Sequence, residues 1–596
     1  MVHRTGMRTH DAGTVTESEI GTDIVLAGWV QRRRDHGGIT FFDLRDSSGL
    51  IQVVADPSEH PEVGELKMEY CVRVSGTVRA RPAGTENVDL ATGQIEVGAD
   101  SVELLSPSKT LPFMIDDRSD VDERVRLKHR YLDLRRPRMA ENLRARSKAT
   151  AAIRRTLDGF GFLEVETPTL VNSTPEGARD MLVPSRLRQG EFYALPQSPQ
   201  LFKQLLMISG VERYFQIARC YRDEDFRSDR QLEFTQLDLE GAFWERDDVL
   251  ATIEQVLVSV VKDVRDVEVE TPFPRITWQE AMDRFGSDKP DTRFGMEIVD
   301  LSDHFADSGF GVFSTALESG GTIRGINVGA RDWSRSKADD MTERAKELGA
   351  KGLVWMVVED DGSLRSPVSK FLGTPELEGI REGLSGQPGD VLLLAADTWR
   401  TVVEVLGGLR LDLGRPSRHE ELAFLWVIDF PLFEENESGG ITFSHHPFTS
   451  PVSLEEMRES PERAISKAYD AVVNGIELGS GSIRIHDPDV QRQVFEILGI
   501  DSATAERRFG WFLEALDYGT PPHGGFAFGI DRLVMVLQDE ASIREVIPFP
   551  KTQTGTDPMT EAPTWVDETQ LRELGIELSA TAQLRRDGML ETLDES

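Results

Sequence analysis

Tyr214-Phe215-Gln216-Ile217-Ala218-Arg219-Cys220-Tyr221-Arg222, a charged run over residues 223–230, and then residues 231–240 form the stretch on which the fold turns. Alternation in both arms reads as a β-hairpin around a charged loop. One face of the first arm carries Ala218, Cys220 and Arg222; one face of the second carries Phe234, Gln236, Asp238 and Glu240. Small residues beside an arginine make a platform on which a flat adenine-and-phosphate ligand can lie, with Arg222 paired to a phosphate. Three polar residues on one strand face set this hairpin apart from an ordinary solvated one.

Working outward, Gln197-Ser198-Pro199-Gln200-Leu201-Phe202-Lys203 precedes the hairpin and reads as a helix start, with Ser198 as N-cap and Pro199 as first helical residue. Leu201, Leu205 and Ile208 form its buried stripe, and Gln200 and Lys203 share another face. A lysine in a first helical turn opposes the helix dipole, which fits a solvated side chain or one placed to meet an anion. Far downstream, His523-Gly524-Gly525-Phe526-Ala527-Phe528-Gly529-Ile530-Asp531-Arg532 reads as a glycine-rich turn into a helix whose N-terminus favours phosphate. Arg532 adds a charge there. Between them, Asp470 and Glu477 are hard oxygen donors suited to Mg²⁺ on nucleotide phosphates. Ile483 and Ile485 point to the core, leaving Ser482, Arg484 and His486 on the opposite side.

Short strands at residues 23–32, 39–45, 50–55, 70–79 and 94–97 suit an N-terminal OB-type β-barrel. Phe41 falls on the face away from Thr40, Phe42 and Leu44, close to Arg32-Arg33-Arg34, where it can stack an unpaired base. The organisation expected is therefore α+β and multidomain. It comprises a barrel over 1–106, a linker or hinge over 107–138, a catalytic block over 139–285, an α/β insertion over 286–420, a second catalytic block over 421–560 and a tail over 561–596.

Composition bounds the function. The 596 residues carry a formal charge of −36, with 39% hydrophobic and 29% charged side chains, so the chain is globular and no generic nucleic-acid binder. Any polyanion must be held by local positive clusters, such as the arginines at 32–34 and those between Arg124 and Arg155. Cys71 and Cys220 can form neither a disulfide framework nor a zinc site. The polar N-terminus and the lack of a long apolar run lead us to expect a cytoplasmic protein without a membrane segment.

Together these segments resemble the three motifs of class II aminoacyl-tRNA synthetases. Gly161-Phe162-Leu163-Glu164-Val165-Glu166-Thr167-Pro168 is similar to motif 1, Arg222-Asp223-Glu224 to motif 2, and Gly529-Ile530-Asp531-Arg532 to motif 3. Ser173-Thr174-Pro175-Glu176-Gly177-Ala178-Arg179-Asp180, residues 197–203 and His445-His446-Pro447-Phe448-Thr449 resemble the bacterial aspartyl-tRNA synthetases. Leu232 stands where proline is usual, and Ser480 interrupts a glycine run.

The resemblance implies ATP-dependent activation of L-aspartate to an adenylate and its transfer to tRNA(Asp), with a homodimer built on motif 1. Lys203 and Arg484 would hold the substrate's side-chain carboxylate beside His445 and His446, as two cations that a neutral amide leaves poorly compensated. Asp238 would take the α-amino group, and Gln200 and Glu176 would close the pocket. Arg222 would contact the α-phosphate and Arg532 the γ-phosphate, the pair counted as catalytic. Asp223, Glu224, Gln231, Glu477, Gly529, Ile530 and Asp531 would complete the ATP site, with Mg²⁺ on Asp470 and Glu477. In the barrel, Arg34, Phe41 and Gln52 would meet the anticodon. His36-Gly37-Gly38 and Gly84 fit the relaxed members that also charge tRNA(Asn), whose anticodon differs only in its third base. The alternative is a strictly discriminating enzyme for tRNA(Asp) alone.

Overall fold

The computed structural model describes residues 5–173, 178–224, 227–416, 421–436 and 439–588. It divides into two compact units, Met1–Glu141 with Asp557–Thr560, and Asn142–Thr556 with Glu561–Ser596.

In the first unit, β1 (Asp23–His36), β2 (Ile39–Arg45), β3 (Leu50–Ala55), β4 (Cys71–Ala80) and β5 (Ile95–Ser106) close into a barrel in the order β1-β2-β3-β5-β4. Period-two alternation drives inward the side chains that fill it, among them Leu26, Val30, Phe42, Leu44, Val53 and Val74. The β1–β2 connection is a two-residue turn, Gly37-Gly38, with φ of 61° and 83°. Two successive positive φ values match the twist of a hairpin and call for glycine. Beyond the barrel, Asp133 is fully buried and takes ion pairs from Arg126, Arg130 and Arg136.

The second unit is built on an eight-stranded sheet. Its order is Arg275–Thr277, Phe424–Ile428, Ala468–Val473, Ile476–Ile483, His523–Gly529, Glu233–Ala242, Arg213–Tyr221 and Leu163–Glu164. The six central strands pair antiparallel, and a short parallel strand joins each edge. Residues 142–159 of the helix Pro137–Gly159, with the helices Arg246–Arg265 and Ile530–Leu537, cover one face. Ala149, Ile153, Ile253, Leu257 and Val534 from these helices pack there on Leu237, Leu239, Trp426 and Phe528. The intervening positions of the same strands, among them Gln236, Asp238 and Glu240, therefore fall on the opposite face, where the site lies.

A smaller five-stranded antiparallel sheet, ordered Val299–Asp300, Thr322–Ala330, Asp390–Asp397, Val354–Val358 and Leu364–Arg365, forms the insertion. Its exit helix, Trp399–Gly414, carries Arg410, buried against Phe294 at 4.0 Å and Phe285 at 5.0 Å and donating to the carbonyls of Asp291 and Phe294.

The structure corrects one local reading. The glycine-rich segment expected as a turn is the strand His523–Gly529, in the middle of the large sheet. A Cβ at Gly525 would overlap Glu240 Oε2 and the Leu239 carbonyl oxygen, so the glycine makes room for an acidic side chain from the neighbouring strand. Gly525→Ala is accordingly expected to destabilise the second unit near the upper end of the roughly 1–3 kcal/mol typical of overpacking, read as a lowered unfolding transition in calorimetry.

Candidate functional site

The hairpin forms as alternation predicts, with Phe234 opposite Cys220, Gln236 opposite Ala218 and Asp238 opposite Gln216. On the sheet face away from the core it floors a cavity of about 810 Å³ whose walls include Lys203, Arg222, Asp238, His445, Arg484 and Arg532.

At one end of the cavity floor lies a buried charge cluster. The helix Gln200–Ile208 starts one residue later than the sequence suggests, with Pro199 as N-cap, while Ser198 Oγ still accepts from Gln200 N. Leu201 and its neighbours anchor this helix on Phe448, Phe509 and Phe512. That packing turns Lys203 inward, to 1% exposure, and excludes the solvated-lysine reading. Lys203 Nζ lies 2.9 Å from Asp238 Oδ1 and 3.4 Å from Glu240 Oε2. Arg484 donates through Nε to Glu240 Oε1 at 2.8 Å, through Nη2 to Glu240 Oε2 at 3.2 Å and through Nη1 to Ser482 Oγ at 2.7 Å. Burial alone would raise the Glu240 carboxyl; Arg484 and Lys203 outweigh it and hold the group below its ordinary value. His446 places Nε2 2.6 Å from Arg484 Nη1; burial and then that guanidinium hold its pKa well below normal, so the ring is neutral. Both cations thus have anionic partners in the protein.

At a second place in the cavity, His445 Nε2 meets Asp470 Oδ1 at 3.1 Å. Burial disfavours its charge, but Asp470, aided by Glu477 and Asp288, raises the pKa overall. Asp470 and Glu477 lie on adjacent strands and both line the cavity.

The cavity wall carries further polar groups. Gln200 Nε2, Asp238 Oδ2, Arg222 Nε, Arg532 Nε and His445 Nδ1 are buried and have no hydrogen-bond partner among the described residues. Buried orphans are costly, by about 1–3 kcal/mol each, and five around one cavity mark where ligand groups belong. Arg222 lies over the Phe234 ring, 5.1 Å from its centre. Arg532, in the first turn of the helix Ile530–Leu537, donates to the Glu477 carbonyl at 2.6 Å and pairs with Asp229 at 3.2 Å.

Of the residues expected at the ATP site, Gln231, Asp531, Glu224 and Gly529 line the cavity, and Ile530 and Asp223 do not. Ile530 is fully buried in the core beneath the sheet, so its side chain does not reach it. Both oxygens of Asp531 are engaged, by Arg146 and by Thr235 N at 2.8 Å, which makes it a group that positions the Arg532 helix. The Gln231 amide bonds both the N–H and the carbonyl of Lys551. Asp223 pairs with Arg179 on the exposed loop and stands outside the cavity wall, whereas Glu224, paired with Arg230, and Gly529 are part of it. Glu176 lies outside the described residues.

On the barrel, Arg34 donates to Gln52 Oε1 and stands over Phe41 at 5.7 Å, and Gln52 donates on to Glu96 at 2.8 Å. His36 and Gly84 are exposed, Gly84 at φ +86°, and neither joins this hydrogen-bonded set.

Sequence reasoning missed Glu240 as the link between the two cations, although its place on the Asp238 face was a usable signal. It also missed Arg146 and Asn142, one helical turn apart, which hold the Arg532 helix near both ends. Arg146 bonds Asp531, and Asn142 donates to Glu540 at 2.8 Å. Pairings between residues hundreds of positions apart leave no local pattern.

Residues 122–553 match the family described as tRNA synthetases class II (D, K and N), and residues 24–105 match the OB-fold nucleic acid binding domain. The chain belongs to the class II tRNA synthetases of that family. The protein named aspartate–tRNA(Asp/Asn) ligase of Moorella thermoacetica is 53% identical over 583 residues, covering 96% of this chain and 97% of that one. The protein of the same name from Natranaerobius thermophilus is 51% identical, covering 95% and 99%. Among solved structures, asparaginyl-tRNA synthetase from Pyrococcus horikoshii, complexed with asparaginyl-adenylate, superposes with a TM-score of 0.59 at 20% identity. It covers 92% of this chain and 99% of that one, a likeness of fold.

Because Glu240 is the shared partner of two buried cations, Glu240→Gln is expected to cost about 3–5 kcal/mol of stability in the second unit, measured by urea unfolding.

Proposed function

We propose that the protein is an ATP-dependent aspartate–tRNA ligase that charges both tRNA(Asp) and tRNA(Asn). The observation that carries this reading is that Lys203 and Arg484, joined through the buried Glu240, line one cavity with Arg222 and Arg532. With the protein partners counted, Lys203 and Arg484 each keep one N–H for a ligand. A carboxylate accepts at both of its oxygens and can satisfy the two together. An asparagine amide accepts at one oxygen only and leaves a buried donor unmet, a penalty of about 1–3 kcal/mol. Asp238 Oδ2, an acceptor without a partner, suits the substrate's α-ammonium, and Gln200 Nε2 suits a carboxylate oxygen.

The α-carboxylate would attack the α-phosphorus of ATP and release pyrophosphate; a ribose hydroxyl of the tRNA end would then displace AMP. Arg222 and Arg532 would neutralise developing phosphate charge, and the protein's chief contribution is orientation and fixed positive charge. Among the described residues no three metal-binding side chains converge. Asp470 and Glu477, two hard oxygen donors that line the cavity, would hold Mg²⁺. When bound it would supply charge neutralisation at the phosphates.

The names of relatives about 50% identical over nearly the full length support relaxed tRNA choice over the strict alternative. Glycines at 37, 38 and 84 leave those turns without side chains that could exclude a third anticodon base. Exposed Phe160, Leu163 and Leu170, around the motif 1 segment, support a homodimer. Among the described residues no helix is long and apolar enough to cross a membrane, in keeping with a cytoplasmic role in translation.

Pyrophosphate exchange tests the amino acid: it is expected with aspartate and not with asparagine, and Lys203→Met should lower it at least about a hundredfold. Exchange with asparagine in preference would overturn the assignment. Both purified tRNAs should accept aspartate; no product on tRNA(Asn) would return the strict alternative. Arg146→Gln should raise the Michaelis constant for ATP at least about fivefold and leave that for aspartate within about twofold, since it acts through the Arg532 helix.

A further inference from the structure

The charged loop of the hairpin brings acids as well as arginines to the cavity wall. Glu224 pairs with Arg230 at 3.0 Å, and Asp229 reaches across to Arg532, its Oδ2 3.2 Å from Nη2. An acid beside an arginine that grips phosphate repels the ligand, so its place there calls for a reason.

Aiming Arg532 is not that reason. The helix that carries Arg532 is tied down by Arg146 on Asp531 and by Asn142 on Glu540. Arg532 Nη1 donates to the Glu477 carbonyl at 2.6 Å, which already sets the plane of the guanidinium. Nε and Nη2 share one edge of that plane, the edge that takes two phosphate oxygens side by side. Nε is buried with no hydrogen-bond partner among the described residues, and Nη2 has Asp229. The acid therefore meets one nitrogen of the pair and leaves the other unpaired, a poorer match than a phosphate that meets both. Asp229 can also give way. Its side chain is 37% exposed and can turn to water. The backbone beside it stays anchored, because the Ser228 carbonyl accepts from Ile543 N and from Ser542 Oγ, both at 3.0 Å.

We propose that Asp229 competes with the terminal phosphate of ATP for Arg532. It neutralises the guanidinium in the free protein, is displaced as ATP binds, and takes the guanidinium back as pyrophosphate leaves. Tight binding of ATP is thereby exchanged for release of pyrophosphate, since one contact holds both. This rests on the assignment of Arg532 to the γ-phosphate.

Calorimetric titration of the full-length protein with ATP, pyrophosphate and AMP, each with Mg²⁺, provides the test, with Asp229→Asn and Asp229→Ala beside wild type. Both variants should bind ATP and pyrophosphate at least about threefold more tightly, the scale of a half-exposed ion pair. AMP lacks the terminal phosphate, and its Kd should stay within about twofold of wild type. An unfolded fraction lowers the stoichiometry and leaves Kd alone. Unchanged or weaker binding of ATP in both variants would overturn the competition; a loop merely loosened by the substitution loses affinity and does not gain it. Equal tightening for AMP would also overturn it. In an Arg532→Gln background, Asp229→Asn should shift the Kd for ATP by less than about twofold, and a full gain there would show that Asp229 does not act through Arg532. Arg532→Gln alone tests the underlying assignment: a Kd for ATP equal to that of wild type would mean that Arg532 does not hold the γ-phosphate.

Discussion

The Glu240 carboxylate, sunk in the middle of the large sheet, is the group on which the rest of the site depends. A carboxylate this deep is tolerable only because Arg484 grips both of its oxygens and Lys203 approaches one of them. In turn it fixes the direction of two long, otherwise mobile side chains and leaves each with a spare N–H. The neighbouring strand yields space for it through Gly525, and His446 stays neutral beside Arg484. Backbone, acid and cations are therefore one construction: removing any member leaves a buried charge or a void.

The same sheet separates two chemistries by the simple alternation of a β-strand. Leu237 and Leu239 face the helices and build the core, while Gln236 and Asp238 line the cavity and Glu240 is buried on that same face. Rigidity on the apolar side preorganises the polar side, which is where a reaction without a protein nucleophile gains its rate. The helix Pro137–Gly159 adds a second restraint, since Arg146 and Asn142 hold the Arg532 helix near its two ends. The orphaned donors of Arg222 and Arg532 are thus held in place before any ligand arrives.

How much could be read beforehand follows from the range of each interaction. Strand alternation, the Phe41 face of β2 and the grouping of Asp238 with Gln236 and Phe234 are local patterns, and they appear in the structure as the residue order predicts. The misreadings have one cause. His523–Gly529 looked like a turn because its glycines answer a side chain some 280 residues earlier. The second partners of Asp531 and Gln231, Arg146 and the Lys551 backbone, are likewise invisible from the motif itself.

The residue order alone determined the α+β plan, the N-terminal barrel and the identity of the charged side chains that line the cavity, because period-two burial and motif chemistry act over a few residues. Which of those charges are already paired, which keep a free donor and which merely hold a helix was decided by the tertiary structure alone. Those outcomes depend on distances of about 3 Å between strands far apart in the chain, where a shift of one residue in register exchanges core for cavity.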